Sequence, residues 1–245
     1  MSANLTLLGF VTASVGPIAS IGGISPPNYN LTTTVLSLNQ NLALGVQGVT
    51  TVGQSIGTGV ETSTATATLP VGQGSSTVNN LATALTTKLA IAPAITILGL
   101  GAGTVTSTSS INGTGVLTAT GTTNITGLTV NGLALGITTI DGSAFVNPAP
   151  NTILLSVLGL KIILNEQLLS GNGTTQLGLT TNAIHATFTN FLVGGGLLSG
   201  DLIVGQSTAA ISVDAVPEPA SWAMMIVGFV MIGTANRNRR RALVA

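Results

Sequence analysis

At 245 residues the chain is long enough for one large β domain or two small domains. Only 5% of the residues are charged, against roughly 25% in an average soluble domain, and there is no cysteine, so disulfides, thiolate metal sites and thiol catalysis are excluded. Four of the six basic residues are Arg237, Arg239, Arg240 and Arg241; upstream, Lys88 and Lys161 face Glu61, Asp141, Glu166, Asp201 and Asp214, and no basic surface for nucleic acid can form.

Gly, Thr, Ser and Asn replace the missing charges. Thr and Val favour extended backbone, while Gly and Asn favour turns, so the composition leans to β structure. The content of Val, Leu and Ile argues against disorder, which needs low hydrophobicity and high net charge.

In chain order, Met1 to Gly16 holds no Lys or Arg and its apolar run is broken at Thr6 and Gly9. A secretory leader wants a basic start and a longer apolar core, so an export signal is expected to lie upstream of this Met1 or to have been lost. Leu5–Ser14 reads as extended. Gly22–Asn30 is a loop broken by Pro26, Pro27 and Asn28. Leu31–Leu38, Leu42–Val52 and Gly59–Leu69 read as strands, the last with a regular alternation of Thr and Ala.

Val78–Ile91 reads as a helix, because Leu81, Ala82, Leu85 and Leu89 share a helical face and Asn79 or Asn80 can cap it; a strand over Lys88–Leu98 competes. Strand-like runs follow at 103–109, 115–120, 124–130 and 133–140, with Asn112-Gly113 and Asn131-Gly132 as turn pairs. Ile153–Leu164 is the most apolar run of the body and reads as a strand pair turning at Gly159. After a turn at Asn172-Gly173, Leu177–Val193 and Asp201–Val213 close the domain.

Candidate chemistry in the body is sparse. His185 is the only histidine, and a Ser-His-Asp site would have to use it with Asp201 or Asp214. It lies in an alternating strand, Asn182 to Phe188, where a structural, hydrogen-bonded histidine is the expected role. Glu166 and Asp201 are the pair a glycosidase would need, but Glu166 sits between Asn165 and Gln167, which reads as a turn-stabilising polar cluster. Asp141 and Asp201 are too isolated for a calcium site. No catalytic residue, metal or cofactor is assigned, and the body is read as non-enzymatic.

The tail runs Pro217-Glu218-Pro219-Ala220-Ser221-Trp222 into Ala223, Met224, Met225, Ile226, Val227, Gly228, Phe229, Val230, Met231, Ile232 and Ala235, then the arginines. As a helix, Ala220 to Ala235 would span about 24 Å against a hydrocarbon core of about 30 Å, a marginal transmembrane helix. Trp222 would sit at one interface, and Arg237, Arg239, Arg240 and Arg241 would stop transfer and keep the C-terminus in the cytoplasm. Pro219 and Glu218 suit the first turn and its dipole.

The residues Pro217-Glu218-Pro219, Trp222-Ala223-Met224-Met225-Ile226, Gly228-Phe229 and the Arg cluster closely resemble the PEP-CTERM sorting signal in its Trp-Ala variant. The resemblance implies a Gram-negative bacterium that makes extracellular polysaccharide. It also implies processing near Pro-Glu-Pro by an exosortase-type membrane transpeptidase after transient residence in the inner membrane, and delivery to the cell surface or beyond. The body has a weaker resemblance to the choice-of-anchor P domain, carried by Ser25-Pro26-Pro27-Asn28-Tyr29-Asn30, Thr123 to Val130, Leu164-Asn165-Glu166-Gln167, Asn182 to His185 and Gly200 to Ser207. That family implies an exported domain joined to varied surface anchors, with no activity to carry over.

The expectation is therefore an all-β chain: a single antiparallel β-sandwich or barrel-like domain over residues 1–215, with an irregular β-solenoid as the alternative. A sorting signal with one transmembrane helix follows over 216–245. The body's neutral, hydroxyl-rich surface suits association with exopolysaccharide or with copies of itself; a glycan-binding or glycan-active protein is the alternative function.

Overall fold

The computed structural model describes residues 2–7, 11–23, 27–46, 50–68, 70–89, 95–113, 116–132, 137–193, 196–212 and 224–232. The chain divides into two compact units, Met1–Ser212 and Val213–Ala245.

Among the described residues the first unit holds fifteen strands: β1 (Ser2–Leu7), β2 (Val11–Val15), β3 (Tyr29–Val35), β4 (Leu38–Val46), β5 (Thr50–Thr58), β6 (Glu61–Thr68), β7 (Val71–Leu89), β8 (Ile95–Asn112), β9 (Thr118–Thr126), β10 (Thr129–Gly132), β11 (Ile137–Asp141), β12 (Thr152–Val157), β13 (Leu160–Gly171), β14 (Gln176–Val193) and β15 (Gly196–Ser212). They form a six-stranded sheet in the order β12-β13-β14-β15-β1-β2 and a nine-stranded sheet whose main path is β11-β10-β8-β7-β5-β4. The ladders among the described residues are all antiparallel. This is hairpin architecture and not the stacked coils of a solenoid.

The nine-stranded sheet forks. Residues 71–78 of β7 pair with β6, and residues 82–89 pair with β5. On β8 the partner changes from β9 to β10 in the same way. Asn80, with φ +47°, sits at the fork on β7, and neither it nor Gly103 opposite takes part in the ladder.

The two sheets pack face to face. Leu160, Ile162, Leu164, Ile184, Ala186, Phe188, Leu202 and Val204 of one meet Val78, Leu81, Ile97, Leu98, Leu100, Val105, Ile125 and Val130 of the other in one apolar core. A smaller cluster gathers Ile111, Leu117, Leu179 and Ala209. Buried hydroxyls also join the sheets: Ser109 Oγ lies 2.8 Å from Thr181 Oγ1 and 3.0 Å from both the Oγ and the carbonyl oxygen of Ser207. Burying these groups is tolerable because each has a partner.

Two expectations are corrected. Residues 78–89, read as a helix, belong to β7; 90 and 91 lie outside the described residues. The expected helical face does not form: Leu81 is buried while Ala82 beside it is exposed, the alternation of a strand. The left-handed Asn80 lies just before this stretch. It reverses the inward-outward alternation, so Val78 and Leu81 both point into the core.

The second correction concerns the transmembrane helix expected over Ala220–Ala235. Among the described residues the helix covers 224–232, which at about 1.5 Å per residue is roughly 14 Å, under half of the ~30 Å hydrocarbon core. Among the described residues no helix is long and apolar enough to cross a membrane. Its side chains Met224, Met225, Ile226, Val227, Phe229, Val230, Met231 and Ile232 are exposed. Trp222, Ala235 and the arginines lie outside the described residues.

Candidate functional site

The outward face of the six-stranded sheet brings together the residues that the sequence leaves scattered. Glu166 stands on β13, His185 on β14 and Asp201 on β15, three adjacent strands. His185 Nδ1 lies 2.6 Å from Glu166 Oε2, and His185 Nε2 lies 3.0 Å from Asp201 Oδ1. The side chains of His185 and Glu166 are 16% and 13% exposed, whereas that of Asp201 is 49% exposed. Register places His185 between Ile163 and Ile203, and these β-branched neighbours flank the imidazole.

The network extends further along the strands. Asn182 Nδ2 donates to Glu166 Oε2 at 2.8 Å, and Gln206 Nε2 donates to Asn182 Oδ1 at 2.9 Å. Asn182 is 1% exposed, so its amide depends on these partners. Thr187 Oγ1 lies 3.4 Å from His185 Nε2. Lys161 pairs with Thr187, and Thr187 with Asp201, in the next row. Three of the few charged residues of the body and its only histidine thus share one patch.

This convergence depends on a backbone device. Asn165 has φ +51° and Gly205 has φ +64°. Together with Ala183 between them they form a line across three strands at which no ladder partner occurs, although register is the same on both sides. Along this line adjacent residues both point inward: Leu164 with Asn165, Ala183 with Ile184, and Val204 with Gly205 are all buried. The alternation then resumes in opposite phase, placing Glu166, Asn182 and Gln206 on the same face as His185. Asn tolerates the left-handed region, and at position 205 an added Cβ would approach Val105 Cγ1 to 3.1 Å.

Asn165 and Gln167 do the turn-stabilising work expected of this stretch. Asn165 Nδ2 donates to Pro148 O at 2.8 Å, Thr123 Oγ1 donates to Asn165 Oδ1 at 3.2 Å, and Gln167 Nε2 donates to Gly121 O at 2.7 Å. Glu166 is the exception, turned to the other face.

The chemistry available to the cluster follows from what occupies each atom. Neutral imidazole has one N–H, so both ring nitrogens can donate to carboxylates only in the protonated ring. A hydroxyl nucleophile would need Nε2 to accept its proton, yet Asp201 Oδ1 is nearer to that nitrogen than Thr187 Oγ1. For glycoside cleavage two carboxyls must flank the scissile bond, and here the imidazole fills the space between them. Among the described residues no group of three or more His, Cys, Asp or Glu side chains can hold a metal ion; the two carboxylates approach opposite ends of the ring and share no point.

One further pattern needs placing. Gly53-Gln54-Ser55-Ile56-Gly57 has the Gly-x-Ser-x-Gly spacing of a nucleophile elbow. The elbow requires a sharp strand-to-helix turn, whereas Ser55 lies mid-strand in β5, and its hydroxyl reaches Ala84 O across the ladder at 3.5 Å. It belongs to the opposite sheet from His185.

Comparison with known families finds the PEP-CTERM protein-sorting motif at residues 215–241. The motif points to a protein sorted at its C-terminus by an exosortase and destined for secretion or the cell surface of a Gram-negative bacterium. The match does not extend into the body, and nothing supports the likeness of residues 4–213 to the choice-of-anchor P domain. No curated protein and no solved structure matches the chain.

Proposed function

We propose that the chain is a non-enzymatic exported surface or matrix protein, processed at Pro217-Glu218-Pro219 by an exosortase-type transpeptidase after passing through the inner membrane. Its body would then meet exopolysaccharide or further copies of itself. The sorting motif at 215–241 is the observation that carries this reading. The body adds support through a surface kept wet by hydroxyls and amides with few charges, and through an imidazole whose two nitrogens each face a carboxylate oxygen. The test is the mass of the mature C-terminus in cells with and without the processing enzyme. Loss of Arg237–Arg241 from the surface fraction, only when the enzyme is present, is expected; an intact Arg241 there overturns the processing claim.

A second reading, a glycan-binding or glycan-active protein, is favoured by the convergence of Glu166, His185 and Asp201 on one face. Incubating the full chain with exopolysaccharide and measuring new reducing ends separates the two. No release is expected; release that disappears in Glu166→Gln establishes the enzyme.

A further inference from the structure

A second region of the sandwich has the makings of a binding site. A cavity of about 160 Å³ opens where the segment from Pro17 to Ile21 covers the junction of β6, β7 and β15. Ile18 and Ile21 form an apolar side; Ser75 and Ser76 of β7, with Gln206 and Ser207 of β15, supply much of the polar side, and among the described residues no charged side chain lines it. Its depth is fixed by backbone: β7 and β15 approach so closely at Gly74 that an added Cβ would lie 3.1 Å from the carbonyl carbon of Thr208 and closer still to its oxygen. Ser76 is 8% exposed and lines the cavity.

We infer that this cavity binds one ring of an uncharged, polyhydroxylated ligand, of the hexopyranoside class. The size sets the upper limit. At about 160 Å³ the space is below the ~300 Å³ at which sites for larger ligands begin. The lining sets the chemistry. An ionised ligand would give up hydration and find no counter-charge. A sugar ring offers hydroxyls that both donate and accept, matching serine hydroxyls and the Gln206 amide, and C–H faces that can pack on Ile18 and Ile21. The site is separate from the His185 cluster, although Gln206 also donates to Asn182 there. The choice of ligand class rests on reading the body as a partner of polysaccharide.

The test is amide-resolved NMR titration of the full chain with methyl hexopyranosides of glucose, mannose and galactose, with glucuronate as the charged arm. Dextran and a neutral β-glucan are tested in parallel by co-sedimentation. Shifts confined to residues 17–21, 63–65, 74–76 and 206–208, saturating for at least one neutral glycoside and absent with glucuronate, are expected. Ser76→Ala should weaken that binding about threefold or more, and Ser20→Trp, at the exposed mouth, should abolish it with the fold retained. Equal shifts with glucuronate, or shifts unaffected by both variants, overturn the proposal. Polymer binding that survives in both variants overturns the cavity alone; failure of every sugar and polymer removes the polysaccharide reading with it.

Discussion

The two arms of the His185 cluster have similar lengths but different surroundings, and this difference is measurable. Consider a double-mutant cycle built from Glu166→Gln and His185→Gln, and a second from Asp201→Asn and His185→Gln. The Glu166 arm is 2.6 Å long between groups that are 13% and 16% exposed. A hydrogen bond to a charged partner in such a setting contributes about 1.5 kcal/mol or more. The Asp201 arm is 3.0 Å long, but its carboxylate is 49% exposed, where screening by water and salt leaves about 0.5 kcal/mol. The ratio between the couplings, about threefold, is what burial predicts, and the shorter Glu166 bond acts in the same direction. Urea denaturation of the full chain and its variants provides the free energies, provided the denaturant slope is unchanged. Added salt should weaken the Asp201 coupling more than the Glu166 coupling. A coupling for Asp201 equal to or larger than that for Glu166 would refute this account of the cluster.

Further outcomes follow from single positions. Gly74→Ala drives a methyl group into the backbone of Thr208 and should cost about 1–3 kcal/mol in denaturation experiments; Gly22→Ala, with nothing within 4 Å of the added carbon, should stay within about 0.5 kcal/mol. Asn172 Oδ1 accepts the backbone N–H groups of Thr174, Thr175 and Gln176 at 2.9–3.0 Å; Asn172→Ala should cost about 1 kcal/mol, and Asn172→Asp, which keeps the acceptor, much less. Glu218→Ala should leave the tail attached in cells that contain the processing enzyme, so that the mass of the surface fraction includes Arg241. If such a variant is processed normally, the motif is not what the enzyme reads.

Much of the strand content is legible because hydrophobic alternation and turn chemistry act locally. The hairpin at Leu158-Gly159 forms where the sequence places it, with φ +43° and +85° at its two residues. Asn172-Gly173 likewise joins β13 to β14. Asn131-Gly132, with the same turn composition, instead lies within β10. The site is not legible, for a specific reason. Strict alternation puts Asn182 and His185 on opposite faces of β14, being three residues apart, and puts Glu166 on the inward face with Leu164. The left-handed residues on the flanking strands undo both assignments, and a positive φ cannot be read from an Asn or a Gly that also occurs at ordinary positions. The tail is the reverse case: its short linear motif is legible residue by residue.

The line formed by Asn165, Ala183 and Gly205 also limits how this domain can change over generations. Losing Asn165 alone would re-phase the end of β13 and turn Glu166 into the interior while Gln167 swung out to solvent. The loss would be harmless only if β14 and β15 shortened at the matching places, Ala183 and Gly205, in the same lineage. Three consecutive strands are thereby tied into one unit of inheritance, in which length variants survive together or not at all.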